Sequence, residues 1–253
     1  MCRMIAKISV EETGILEEML KCPYSLKYLS ENGRQPSDPG SRGAHHDGCG
    51  MAFSKNGSVE IHKRSKENAW DESYQQLARS VTSTIFIAHN RLASKGLEMD
   101  ENGAHPFSVT AAGKTFAICH NGGIKTYMEE AIQKHTSDSF IFLQRLVDPA
   151  GKNDADEIFH RLKTIANETE FSSLCAYLVS ENELFVWRIY SDADERKRNE
   201  YEKYYTLYMS MRNNSILFSS EPLDDLPWMV LENNSFLHIT RSGKKLVTDY
   251  CTL

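Results

Sequence analysis

Hydrophobic and polar positions along this chain fall into short blocks that set out an order of elements. Residues 2–9, "CRMIAKIS", read as a strand headed by a cysteine, and a short helix is expected near Ile15–Leu20. The stretch "ENGRQPSDPGSRGAHHDG" is dense in turn formers and reads as a loop. Connections of that length inside a compact domain are often functional. "CGMAFS" and "SVEIHKR" are strand patterns joined through Lys55-Asn56-Gly57, a hairpin signal. In "NAWDESYQQLARSV", Trp70, Tyr74, Leu77 and Val81 recur at helical spacing. "STIFIAHNR" and "GKTFAICHNG" read as buried strands, rich in β-branched and aromatic residues.

Helices are expected at 126–134, 138–147 and 154–168. The second half is strand-rich: "SLCAYLVS", "LFVWRIY", "YYTLYMSM", "SILFSS", "SFLHIT" and "KKLVTD". The charged segment "SDADERKRNEYEK" between two of these reads as a solvated loop. Strands and helices occur in groups rather than as alternating βαβ units. This points to a layered α+β fold, and one domain over 1–253 is the simplest reading.

Composition changes that picture little. The 253 residues are 40% hydrophobic and 25% charged, ordinary for a chain that buries a sizeable core. The net charge of -6 gives no whole-chain reason to expect nucleic acid or an anionic membrane as partner. No apolar run approaches the ~20 residues of a membrane span. Arg3, Lys7, Glu11 and Glu12 interrupt any apolar secretory core at the start. The six cysteines are scattered, with no CxxC pair and no zinc-type spacing, so reduced thiols in a cytoplasmic protein are the expectation. "AHHDGC" offers two adjacent histidines without further ligands at recognisable spacing and reads as loop, so no metal is expected.

Four places carry candidate chemistry. Cys2 alone is an ordinary small residue at the head of a strand. With Met1 removed, it would also carry a free α-amine, with pKa about 7.7–8.0, able to take the thiol proton. Asn121-Gly122 alone is a hairpin turn; the same pair can also converge a side-chain amide and a backbone N–H on one oxygen. Cys119 and His120 are strand neighbours that point to opposite faces, which sets aside a Cys/His pair. Arg91 ends an apolar strand, where it is either a surface residue or a fork for a carboxylate. Asp138 stands where a helix should begin, as a cap or first-turn acid or as an acceptor for an ammonium group.

Together these residues, with "HDGCGMAF", "AHNRLASKG" followed by "HPF", "CHNGGI", "SDSF" and "SSEPL", occur in the order seen in class II glutamine amidotransferases, and the chain resembles that family from residue 2 to about 230. The resemblance implies a four-layer αββα sandwich of the N-terminal-nucleophile hydrolase type. It implies that Cys2 attacks the side-chain amide of glutamine, giving a γ-glutamyl thioester, ammonia and then glutamate. Asn121 and Gly122 would form the oxyanion hole, Arg91 would hold the α-carboxylate and Asp138 the α-ammonium. Ser94 and His105 match positions beside the substrate, and His120 a position of packing or polar support. No cofactor is required.

Two departures stand out. Phe140 replaces an acidic residue common two positions after the aspartate, and Cys49 follows Asp47-Gly48 where an aromatic is frequent. The chain ends at Leu253 without room for a product-forming second domain. A stand-alone subunit that passes ammonia to a separate synthetase or acceptor subunit is therefore expected. Hydrolysis of other γ-glutamyl amides or peptides is the alternative, and a non-catalytic binding subunit the third reading.

Overall fold

In the computed structural model, residues 2–35, 40–93, 100–193 and 195–253 are described. The elements in chain order are β1 (Arg3–Gly14), α1 (Leu26–Asn32), β2 (Gly33–Arg34), β3 (Arg42–Gly43), β4 (Cys49–Lys55), β5 (Ser58–Arg64), α2 (Glu72–Ser80), β6 (Thr82–Asn90), β7 (Phe107–Ala111), β8 (Lys114–Asn121), α3 (Lys125–Gln133), α4 (Asp138–Leu146), α5 (Ala155–Glu168), β9 (Cys175–Val179), β10 (Glu183–Arg188), α6 (Glu195–Tyr204), β11 (Tyr208–Arg212), β12 (Ser215–Ser219), β13 (Met229–Val230), β14 (Ser235–Ser242) and β15 (Lys245–Thr252).

The long strands form two antiparallel sheets, ordered β13-β11-β12-β1-β6-β4-β5 and β15-β14-β10-β9-β8-β7. Three apolar cores separate four layers. Successive side chains of a strand face opposite ways, so β1 sends Met4, Ala6 and Ile8 between the sheets and Ile5 outward. Between the sheets they meet Cys119 and Tyr177 of the second sheet. Outside the first sheet, Leu26 and Leu29 of α1 and Tyr74 and Ala78 of α2 pack with Ile5, Met51 and Phe86. Outside the second, Phe142 of α4 and Leu162 of α5 pack with Leu178, Phe185 and Trp187. Each large apolar side chain so buried contributes on the order of 1.5–3 kcal/mol. This is the expected αββα sandwich.

The β4–β5 hairpin closes as expected, with positive φ at both Asn56 and Gly57 and Lys55 paired to Ser58. Other elements differ from the sequence reading. Helix α2 begins only at Glu72, because Asp71 caps it by accepting from the Tyr74 N–H at 2.7 Å; Trp70 precedes the helix with positive φ. The helix near Ile15 is a single turn at Glu17–Lys21.

The charged segment read as a loop is a correction: from Glu195 onward it is α6. Its Glu, Lys and Arg are good helix formers, and its last turn is fixed by Tyr204, buried with the Arg3 guanidinium 4.5 Å over its ring. No helix among the described residues is long and apolar enough to cross a membrane.

Glu221, in the segment after β12, ties the outer elements to the start of β1. Its buried carboxylate accepts from Arg3 Nη1 (3.2 Å), the Arg34 backbone N–H (2.8 Å) and Arg42 Nη1 (2.8 Å). The β2–β3 ribbon is thereby held against β1 by charges that satisfy one another.

Candidate active site

Antiparallel pairing gathers the chemistry at one end of the sandwich. In the first sheet Arg3 pairs with Asn90 and Met4 with His89, while Cys49 pairs with Asn90. The start of β1, the end of β6 and the start of β4 therefore meet. In the second sheet Asn121, the last residue of β8, pairs with Cys175 at the start of β9. The two sheets touch where the Cys2 backbone N–H donates to Asn121 Oδ1 at 2.9 Å.

Cys2 is 6% exposed. Burial pushes its thiol up. The charge of His89 and then that of the chain's N-terminus, with smaller contributions from hydrogen bonds of His89 and the Leu92 backbone, more than reverse this and bring it down to about 6. The other inner thiols stay inert: burial pushes Cys49 up to about 12 and raises Cys119 and Cys175. Cys49 lies in the core under α2 and does not face Cys2.

Asn121 is fully buried. Its Oδ1 is taken by Cys2, and its Nδ2 has no partner among the described residues. A buried amide with an unused N–H is a donor awaiting an acceptor. The turn after it admits only glycine: a Cβ on Gly122 would stand 1.9 Å from the Ser173 carbonyl oxygen. That oxygen is held in turn by His120 Nε2 at 3.0 Å, while His120 Nδ1 lies 2.8 Å from Ser139 Oγ. Burial pushes the His120 imidazole down, keeping it neutral, so Nε2–H donates to the carbonyl and Nδ1 accepts from the hydroxyl. Polar support for the turn is thus the position His120 occupies, and Cys119 points away into the core between the sheets.

Arg91 continues the ladder past β6. Its N–H donates to the Gly48 carbonyl at 2.8 Å, and its own carbonyl accepts from the Asp47 N–H at 2.9 Å. Burial pushes the guanidinium down, against the opposing charges of Cys2, Asp47, Asp100 and Asp138, all within electrostatic reach. Asp47, a turn residue in the sequence reading, also accepts from the Ala93 N–H (3.0 Å) and pairs with Lys66 (3.2 Å), anchoring the segment that carries Arg91.

Asp138 is buried in the first turn of α4 behind the Ser137 cap. One oxygen accepts from the Ile124 N–H at 2.7 Å and the other from Ser137 Oγ at 3.0 Å. Each carboxylate oxygen has a second lone pair left. Phe140, in place of an acid, packs beside Phe107 with ring centroids 5.8 Å apart.

His105 is buried with its ring 4.1 Å from that of His89 and 4.6 Å from Phe107. Burial and the neighbouring cations push it well below the usual histidine range. Ser94 lies outside the described residues. Among the described residues no group of three or more His, Cys, Asp or Glu is placed to hold a metal ion.

The sequence reading missed His89. Strand parity could have found it: His89 lies two residues before Arg91, and hence on the same face of β6, and opposite Met4, which shares its face with Cys2. The assembled groups suit nucleophilic attack on an acyl carbon. They comprise an acidified thiol, an unused amide donor at a glycine turn, one cation and one carboxylate.

Comparison with known proteins bears on this arrangement. The family model of class-II glutamine amidotransferases matches residues 29–185, more than half of the chain, including Arg91, Asn121, Gly122 and Asp138; Cys2 lies ahead of the match. A comparison with curated protein sequences gives no match.

Solved structures do match. The glutamine phosphoribosylpyrophosphate amidotransferase of B. subtilis, complexed with ADP and GMP, is 16% identical with a TM-score of 0.66, over 98% of this chain and 49% of that one. A structure described as the allosteric regulatory enzyme of purine biosynthesis is 14% identical with a TM-score of 0.64, over 98% and 48%. A glutamine aminotransferase class-II domain protein from Silicibacter pomeroyi is 16% identical with a TM-score of 0.62, over 100% and 99%. At these identities the likeness is one of fold, and the chain spans about half the length of the first two. The sandwich is thus the N-terminal-nucleophile hydrolase type, and with the family model covering most of the two sheets' site residues, the chain belongs to the class II glutamine amidotransferases.

Proposed function

We propose that the protein hydrolyses the side-chain amide of glutamine at Cys2 and delivers the ammonia to an acceptor enzyme. The Cys2 sulfur bonds to the amide carbon, and the oxygen, now negative, accepts from Asn121 Nδ2 and the Gly122 N–H. The C–N bond then breaks. With Met1 removed, the Cys2 α-amine takes the thiol proton as the sulfur attacks and returns it to the departing nitrogen, which leaves as ammonia. Water attacks the γ-glutamyl thioester and releases glutamate. Arg91 receives the substrate carboxylate in a bidentate pair and Asp138 the ammonium.

One observation carries this reading: the buried, unpartnered Asn121 Nδ2 beside an acidified Cys2 thiol. The test is a screen of glutamine, glutathione and several γ-glutamyl amides, scored for both glutamate and ammonia. Turnover of glutamine with equimolar ammonia is expected. Turnover confined to other γ-glutamyl compounds would replace glutamine as substrate.

The clamp has its own test. Arg91→Ala and Asp138→Ala each remove a charge-assisted pair of about 1.5–3 kcal/mol, so KM should rise roughly 10–100-fold with kcat less affected. Asp138→Ala should also lower thermal stability, since it frees the buried Ile124 N–H. Steady-state glutamate release with either variant checks this; an unchanged KM would remove the residue from the clamp.

A further inference from the structure

Between α1 and the segment after β12 lies a cavity of about 570 Å³, a size that small-molecule sites commonly have. None of Cys2, Arg91, Asn121 or Asp138 lines it. Its walls are aromatic. Tyr24 and Tyr28 are exposed there, with their rings edge to face and 5.6 Å apart, and Trp228 is half-buried.

These walls are held in place before any ligand arrives. The Tyr24 N–H donates to the Leu223 carbonyl at 3.0 Å, which ties the start of α1 to the segment after β12. Trp228 Nε1–H donates to Asp224 Oδ1 at 3.0 Å. Both Asp224 oxygens accept from Arg212 Nη2, at 3.0 and 3.1 Å, and the Arg212 guanidinium stands 5.4 Å from the centre of the Trp228 ring. A site whose parts are already ordered loses less entropy on binding.

The cavity also carries charge. Glu221 lines it and is held by Arg34 and Arg42 from the β2–β3 ribbon and by the fully buried Arg3. Asp224 is occupied by Arg212, and Asp225 is exposed. Four guanidiniums thus meet three carboxylates. Arg42 spends only Nη1, on the Asn32 carbonyl and Glu221, and Arg34 spends Nε and Nη1. Arg34 Nη2 and Arg42 Nε and Nη2 have no hydrogen-bond partner among the described residues.

We propose that this cavity binds a small oxyanion carried on a flat apolar body. The ring packs on the aromatic walls, and the carboxylate or phosphate takes the open guanidinium N–H groups of Arg34 and Arg42. Carboxylate and phosphate share this chemistry, since the guanidinium fork matches both. The site uses neither Cys2 nor amide hydrolysis, so it stands or falls apart from the function proposed above.

The experiment titrates the full chain with 2-naphthoate, with 2-naphthyl phosphate and with 2-naphthylmethanol as their neutral counterpart. Binding is read at the indole N–H resonance of Trp228, assigned by its loss in Trp228→Phe. At least one anion should bind with a Kd of about 1 mM or tighter, and about tenfold or more ahead of the alcohol. The tighter of the two anions identifies the preferred oxyanion. Arg42→Gln should weaken anion binding about tenfold and leave the alcohol unmoved. Tyr28→Ala, which touches none of the charges, should weaken all three probes.

An alcohol that binds as well as both anions overturns the proposal. So does anion binding that Arg42→Gln leaves unmoved, or a Trp228 resonance that no probe shifts. Should Arg42→Gln fail to fold, salt gives the same discrimination in wild type. Raising it from about 20 to about 300 mM should weaken the anions several-fold and spare the alcohol. Anion binding indifferent to salt overturns the proposal.

Discussion

Replacing Cys2 with alanine should abolish glutamate release, by roughly 10⁴-fold or more, and leave the fold intact. The magnitude is that of removing a nucleophile for which nothing nearby substitutes. Burial raises the remaining inner thiols, and Cys119 faces the core between the sheets. The fold should tolerate the change, because Cys2 lies ahead of the β1 ladder and its backbone N–H bond to Asn121 Oδ1 survives any side-chain substitution. Cys2→Ser should be nearly as inactive. A hydroxyl in the same place ionises far less readily than a thiol, and a neighbouring imidazole alone does not close that gap. Thermal melts alongside glutamate assays check both halves of this expectation.

Gly122→Ala should damage stability and rate together. The added Cβ would stand 1.9 Å from the Ser173 carbonyl oxygen, and this is backbone that cannot swing aside. It accepts from His120 Nε2, and Ser173 is further held by its hydroxyl bond to the Ile189 carbonyl and its bridge to Tyr190. Relief therefore requires moving the turn itself, at a cost of about 3 kcal/mol or more, and the melting temperature should fall by roughly 6–12 °C. Because the proposed oxyanion donors sit on the same turn, surviving protein should hydrolyse glutamine roughly 10²–10³-fold more slowly. Calorimetry and single-turnover kinetics test the pair. A melting temperature unchanged to within about a degree would mean that the β8–α3 turn is not pinned by Ser173.

Much of the layered fold was legible because it is written in local periodicity. The alternation of β1, the Asn56-Gly57 turn and the apolar stripe of α5 each depend on residues close in sequence. The candidate site residues came from the family resemblance and not from local pattern: Arg91, Asn121, Gly122 and Asp138 each stand at the end or start of an element, where each alone reads as a surface residue, a turn or a cap. What escaped were features decided by partners far along the chain. His89 reads as one polar residue inside an apolar strand, and its meaning appears only when Met4 is set opposite it. Helix α1 is seven residues long, and the Ser25 cap with buried Leu26 and Leu29 was its only signal. Helix α6 carries charges nearly all round and is secured from outside, by Arg3 over Tyr204. Glu221, in "SSEPL", gave no hint of the arginines from three other segments that converge on it.

The central claim is that Cys2, as the first residue of the mature chain, forms a γ-glutamyl thioester. Mixing the protein with glutamine, quenching in acid within the first turnover and mapping peptide masses tests it most directly. The account predicts an N-terminal peptide that begins at Cys2, lacks Met1 and carries one added γ-glutamyl group. The same group on another residue, or steady glutamate release with no adduct and Met1 still in place, would contradict it.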